Sequence, residues 1–287
     1  MLRRGPQGPL QFAAPPRAGE LSAKLTEGAR FAPLLAHALT PSCDLQRAEL
    51  RLSLATMRKG ALFSLILLAL PAAAAAKPPV VVELYTAQGC AKCADANVYA
   101  AKLADRPDVL VLTFPVDYWD YLGWSDTFAK PEYADRQKAY VAKLSLREPY
   151  TPQVIVDGRA QAPGLQPDRV DKLVRDAIHA PADPPQIRFQ NRRRVDVGSG
   201  RPPKGGADVW LVRYDPRDQE VAIKSGDNRG KTVVQKNVVR QMTKVGVWRG
   251  RATAFRLPAP SEDGLETVVI VQGARGGRVI GVARAKS

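Results

Sequence analysis

The 287-residue chain is poor in the residues that build metal centres: it has three cysteines and two histidines. Two of the cysteines, Cys90 and Cys93, sit in one Cys-Ala-Lys-Cys motif. Two thiolates alone do not complete a tetrahedral zinc site, and His179 lies far along the chain, so metal binding is the weaker reading of the pair. No metal or cofactor is called for. Long apolar runs are also missing. The longest, Ala61 to Leu70, falls short of the roughly 20 residues that span a bilayer. No sequence repeat of fixed period is present. No apolar run follows Arg3-Arg4, which argues against a twin-arginine signal. No aromatic residues interleave with Arg192-Arg193-Arg194, as a platform for single-stranded nucleic acid would need, and no nucleic-acid partner is expected.

Apolar residues make up 45% of the chain, enough for a packed core and too many for disorder throughout. The net charge of +15 is unevenly spread. Residues 77–183 carry 13 basic and 15 acidic residues, whereas residues 184–287 carry 21 and 9. A basic second half favours a solvated cationic face first, and contact with an anionic envelope surface second.

Met57 opens a segment with the layout of a secretory signal peptide: Arg58-Lys59, the apolar run to Leu70, then Ala74-Ala75-Ala76 at the cleavage positions. Residues 57–76 are therefore read as the leader, with an uncleaved anchor as the weaker reading because the alanines extend the apolar stretch, and residues 1–56, with Cys43, as an upstream extension outside the native chain. The implied location is periplasmic or secreted. There, Cys90 and Cys93 meet an oxidising compartment. A loop closed across two residues removes little unfolded-state entropy, so the pair suits redox work better than stapling.

Val80 to Thr86 is rich in β-branched and aromatic residues and predicts a strand. Ala94 to Arg106 predicts a helix stopped by Pro107. Val109 to Phe114 predicts a strand buried on both faces. Pro131 to Leu146 and Gln166 to Ala180 predict helices, with Val154 to Val156 and an Asp157-Gly158 turn between them. The order β-α-β-α-β-β-α is an α/β pattern. After the Pro181 to Pro185 linker the helical period stops. Short strand-like runs, Val209 to Tyr214, Val221 to Ile223, Thr232 to Val234, Thr253 to Phe255, Glu266 to Val271 and Val279 to Ala283, predict a small β-sandwich or barrel.

A cysteine at a helix N-terminus meets unpaired N–H groups and the positive end of the helix dipole, which favour the thiolate. Lys92 adds positive charge. Cys90 is thus the expected attacking thiolate and Cys93 the resolving one. An inert dithiol, left as a relic of the fold, is the competing reading.

Strand, Cys-X-X-Cys, helix and a later Thr151-Pro152 before a strand resemble the thioredoxin superfamily. That resemblance implies a cis Pro152 facing the dithiol, with the backbone at Thr151 pairing to a substrate chain. It also places Glu83 near a buried acid of that family, although an exposed strand Glu fits equally. The chain is further similar to a bacterial exported family, domain of unknown function 1223. The matching segments are Glu83 to Cys90, Val116 to Trp124, Tyr150 to Gly158, and Asn228-Arg229-Gly230 before Asn237-Val238-Val239. The resemblance implies a thioredoxin-like fold, expected at 77–183; the linker and the strand-like runs beyond it predict a smaller mostly-β, sandwich-like domain at 186–287. Trp119, Tyr121 and Trp124 are candidates to line a substrate groove, with ordinary packing the equal alternative.

The expected function is an exported thiol–disulfide oxidoreductase acting on a thiol- or disulfide-containing protein or a small thiol. The alternative is a non-enzymatic envelope protein that contacts its surroundings through the basic second half. The leader generates the first test. The intact mass of the exported protein should correspond to a chain starting at or near Lys77; a mass that includes residues 1–56 would overturn both the cleavage and the start at Met57.

Overall fold

The computed structural model describes residues 77–286. The expected leader, the upstream extension and Cys43 lie outside them. Thirteen strands and three α-helices form a mixed α/β unit around a large mixed sheet.

The chain opens with β1 (Val80–Thr86), α1 (Cys93–Ala104) and β2 (Val109–Pro115). A short 3-10 turn (Asp120–Leu122) precedes α2 (Pro131–Lys143), β3 (Gln153–Val156), β4 (Ala160–Pro163) and α3 (Pro167–His179). Both α2 and α3 start on proline, whose fixed φ and missing N–H cost nothing at a first helical position. β1 runs parallel to β2 and antiparallel to β3, and β3 pairs antiparallel with β4. Every residue of β1, β2 and β3 is buried, which explains their unbroken apolar runs.

Side chains alternate along β1. Val80, Val82 and Leu84 meet Ala96, Ala100 and Leu103 of α1 and Val170 and Val174 of α3. Val81 and Tyr85 belong to a second cluster with Tyr133, Ala134 and Tyr140 of α2. The helical spacing of these residues is what puts them on one face of each helix.

The second half is built from β5 (Ile187–Asn191), β6 (Arg194–Val197), β7 (Ala207–Asp215), β8 (Gln219–Ala222), β9 (Thr232–Gln235), β10 (Val238–Trp248), β11 (Thr253–Arg256), β12 (Glu266–Gly273) and β13 (Val279–Arg284). The boundary expected at residues 181–185 does not divide two sheets. One eight-stranded sheet runs β13-β12-β7-β10-β2-β1-β3-β4. β10 joins β2 at Val238 and Thr113. Val212, Tyr214, Val239, Val268, Ile270, Val279 and Val282 share the cluster that holds α2, Leu110, Leu112 and Phe114. The opposite face of β7 and β12 packs on the three-stranded sheet β11-β6-β5, with Trp248 and Leu257 fully buried between them. β8 and β9 form a separate two-stranded hairpin.

Three strands escaped the sequence reading. β10 is the longest at 11 residues, but register shifts at Val239/Gln241 and Lys244/Gly246 break its alternation. β5 and β6 are short, and the exposed Arg192-Arg193 pair is the turn between them.

Removing residues 184–287 would uncover Leu110, Leu112, Phe114, Tyr133 and Tyr140. Burial of such side chains is worth about 1.5–3 kcal/mol each, together comparable with the whole stability of a domain, about 5–15 kcal/mol. A chain ending at residue 183 should therefore lose its near-ultraviolet circular dichroism and its cooperative thermal transition. A fragment that melts cooperatively as a monomer would show that the first half is self-sufficient.

Candidate functional site

β1 delivers the chain into a tight approach to α1. Cys90 N–H donates to Ala87 O at 3.2 Å, and Cys93 N–H donates to Cys90 O at 3.1 Å. The helix proper begins at Cys93, so Cys90 stands one turn ahead of it rather than in its first turn. No side chain caps the helix at Lys92, which leaves first-turn N–H groups facing the approach. Cys90 and Cys93 are within disulfide distance, with Cα atoms 5.4 Å apart. Cys90 is 5% exposed and Cys93 1%. The order of exposure is as expected, but both are buried. Lys92 and Ala91 are exposed.

Pro152 is cis to Thr151 and opens the turn into β3. A Cβ added at Gly164 would lie 2.9 Å from Ala96 Cβ and 3.0 Å from Pro152 Cβ. Gly164 thus sits between Pro152 and α1, one turn beyond Cys93. Thr151 accepts a hydrogen bond from Trp119 Nε1 at 2.7 Å.

Gln88 organises the loop before the dithiol. Its N–H donates to Asp126 Oδ2 at 2.7 Å, and its side-chain amide donates to Thr127 Oγ1 and accepts from Trp124 Nε1, both at 2.9 Å. Its carbonyl accepts from Asn228 Nδ2 at 2.8 Å, across 140 residues of sequence. Burial pushes the Asp126 carboxyl above the usual carboxylate range, opposed by hydrogen bonds from the Gln88 and Phe128 backbone. Two of the three groove candidates therefore spend their indole N–H groups on positioning loops. Tyr121 alone is open, 78% exposed and stacked on Trp119 with ring centroids 6.4 Å apart.

The β8–β9 hairpin lies over the dithiol. A partly open cavity of about 40 Å³ is lined by Cys90, Cys93, Asn97, Asn228, Lys231 and Val233, among others. Asn97 is 4% exposed; its Oδ1 accepts from Thr86 Oγ1 at 2.9 Å, and its Nδ2 has no partner among the described residues. Gln88, Asn97, Asp126 and Asn228 were not picked out as site residues from the sequence. Asn228-Arg229-Gly230 stood out only as a segment of the family resemblance, with no role attached.

Glu83 is buried, but its carboxylate is engaged away from α1. Val82 and Leu84 face that helix, so Glu83 points toward α2. There Arg136 grips it through two hydrogen bonds of 2.7 Å, from Nε and Nη2. Tyr85 and Tyr140 hydroxyls donate to the same carboxylate at 2.9 and 2.6 Å. Burial holds both phenols well above their usual range, so they stay donors. Burial alone would push the Arg136 guanidinium down; Glu83, Tyr140 and Tyr85 together more than offset it. The guanidinium also lies over Phe114, Tyr140 and Trp210, 5.3–5.7 Å from their ring centroids. Among the described residues no three His, Cys, Asp or Glu side chains gather to hold a metal ion, and no helix is long and apolar enough to cross a membrane.

Residues 81–272 match a family model described as a protein of unknown function, DUF1223. The chain is 31% identical to a protein of Agrobacterium tumefaciens of known crystal structure, with a TM-score of 0.58, covering 72% of this chain and 94% of that one. HBP35 of Porphyromonas gingivalis is 11% identical with a TM-score of 0.46, covering 73% and 75%. No curated protein matches the chain.

Removing one partner of a buried ion pair leaves the other uncompensated and costs about 3–5 kcal/mol. Glu83→Gln should lower stability by about that amount in urea unfolding. Adding Arg136→Met should restore most of it, because no unpaired charge remains. A single variant that unfolds at the wild-type urea concentration would show that the pair is energetically idle.

Proposed function

From its membership in the DUF1223 family, to which this chain belongs, and from the paired cysteines ahead of α1, we propose that the protein is an exported thiol–disulfide oxidoreductase. The observation that carries the reading is the Cys90–Cys93 pair at disulfide distance, at the uncapped N-terminus of α1. A strand order of β2-β1-β3-β4, with α1 and α3 on one face and α2 on the other, supports a thioredoxin-like unit within residues 80–179. The leader pattern from Met57 to Ala76 supports export.

In the reducing direction, the Cys90 thiolate attacks one sulfur of a disulfide RSSR′. The Cys90–S–S–R bond forms and R′S⁻ leaves. Cys93 gives up its proton and attacks Cys90 Sγ, forming the internal disulfide and releasing RS⁻. Two protein thiols are oxidised and one substrate disulfide is reduced. The reverse sequence transfers the internal disulfide to a dithiol. First-turn N–H groups and Lys92 favour the anionic sulfur.

One observation favours the alternative of a non-enzymatic interaction protein on the same scaffold: only 5% of Cys90 is exposed. The two readings part in a trapping experiment. Cys93→Ser should accumulate a mixed disulfide through Cys90, and Cys90→Ser should abolish exchange. Full biological activity in the double Cys→Ser variant would leave the scaffold reading in its place.

A further inference from the structure

The geometry points to the segment from Ser225 to Val233 as a strap that filters what reaches Cys90 by size, admitting small thiols and disulfides and excluding folded protein while it is closed. This inference rests on the oxidoreductase reading for its chemistry, and on the following contacts for its geometry.

The β8–β9 hairpin is an excursion between β7 and β10, which already pair with each other in the main sheet. The sheet does not need it. Its two strands bond only to one another, so it is attached to the rest of the molecule by side chains and its tip. Asn228, 4% exposed, donates to the Gln88 carbonyl at 2.8 Å. Ser225 Oγ donates to the Gly123 carbonyl at 2.6 Å. Gly226, at φ +73°, comes so close to the aromatic loop that an added Cβ would lie 3.0 Å from Leu122 O and 3.4 Å from Trp124 Cβ. Lys231 Nζ donates to Asn228 Oδ1 at 3.1 Å and holds the anchor's rotamer. On the inner side, Val233 is 7% exposed and lines the cavity with the two cysteines.

This arrangement accounts for a dithiol that has reactive surroundings and almost no exposed surface. The cavity of about 40 Å³, open on one side, takes several water-sized groups or the sulfur end of a small thiol, and no polypeptide strand. Two polar anchors on glycine-rich backbone hold the strap, rather than ladder pairing. Each such anchor changes an opening equilibrium by about five- to tenfold. Asn228 is a positioning residue in this scheme: it acts on access to Cys90 and not on the sulfur chemistry.

The test uses the reduced full-length protein and two reagents with the same reactive group, N-ethylmaleimide and a polyethylene-glycol maleimide, with labelling read as loss of the unmodified Cys90 peptide. Wild-type protein should react much more slowly with the large reagent than with the small one. Asn228→Ala should speed the large reagent about five- to tenfold and leave the small one within about twofold. Ser225→Ala loosens the second anchor and serves the same purpose should Asn228→Ala fold poorly. Equal rates for both reagents in wild type, or an unchanged ratio in the folded variants, would overturn the strap. Labelling requires no turnover, so its outcome stands apart from the Cys93→Ser trapping experiment: a size filter without a trapped partner defeats the oxidoreductase reading and leaves the strap intact.

Discussion

Backbone groups on the outer edge of β2 must be paired once that edge is buried, and the way they are paired governs much of the molecule. Thr113 N–H donates to Asn237 O at 3.0 Å, and its hydroxyl donates to Lys236 O at 2.6 Å. Asn237 Nδ2 returns a bond to Val111 O at 3.0 Å. Asn237 takes up positive φ, 54°, to do this, a conformation that asparagine tolerates better than most residues. The stitch is short, yet it fixes where β10 starts and so where β7, β12 and β13 extend the sheet. It also fixes the end of β9, two residues upstream. The hairpin's position over Cys90 follows from a turn that pairs two strands well away from the cysteines.

A second constraint is the solvation of charge inside the shared core. Glu83 stands in a strand buried at every position. Its charge is balanced by one guanidinium and two phenol hydroxyls, the guanidinium itself lies over aromatic rings, and Gln272 of β12 donates to the Tyr140 hydroxyl at 2.8 Å. Strand, helix and distant strand thus meet at one carboxylate. The pair adds little net stability over an apolar substitute, but it penalises any packing in which α2 slides relative to β1. That register also holds the Thr151-Pro152 turn, because α2 carries Gln137, which donates to the Tyr150 carbonyl and to Gln153 Oε1, both at 2.8 Å, on either side of it.

What could be read from the sequence follows the range of the interactions involved. The strands β1 and β2 and all three helices were legible because their signals are local: continuous apolar runs, 3.6-residue spacing and proline at first helical positions. The Cys-X-X-Cys context was legible for the same reason. β10 was not, because its two bulges shift the alternation within the strand. The fate of Glu83 was ambiguous, since its partner Arg136 lies 53 residues away. The covering of Cys90 was hidden further still: the contact that secures it joins Gln88 to Asn228, and neither residue type advertises a partner. The division expected at the proline-rich linker rested on a change of composition, which marks a change of secondary structure and not a border between cores.

Trp119 sits where several of these contacts meet. A Cβ at Gly89, the residue before Cys90, would touch its Cβ at 3.5 Å, its indole N–H is tied to Thr151, and Tyr121 stacks on its outer side. Trp119 therefore joins the approach to Cys90 and the cis Thr151-Pro152 turn through a single side chain, so a displacement at one is carried to the other.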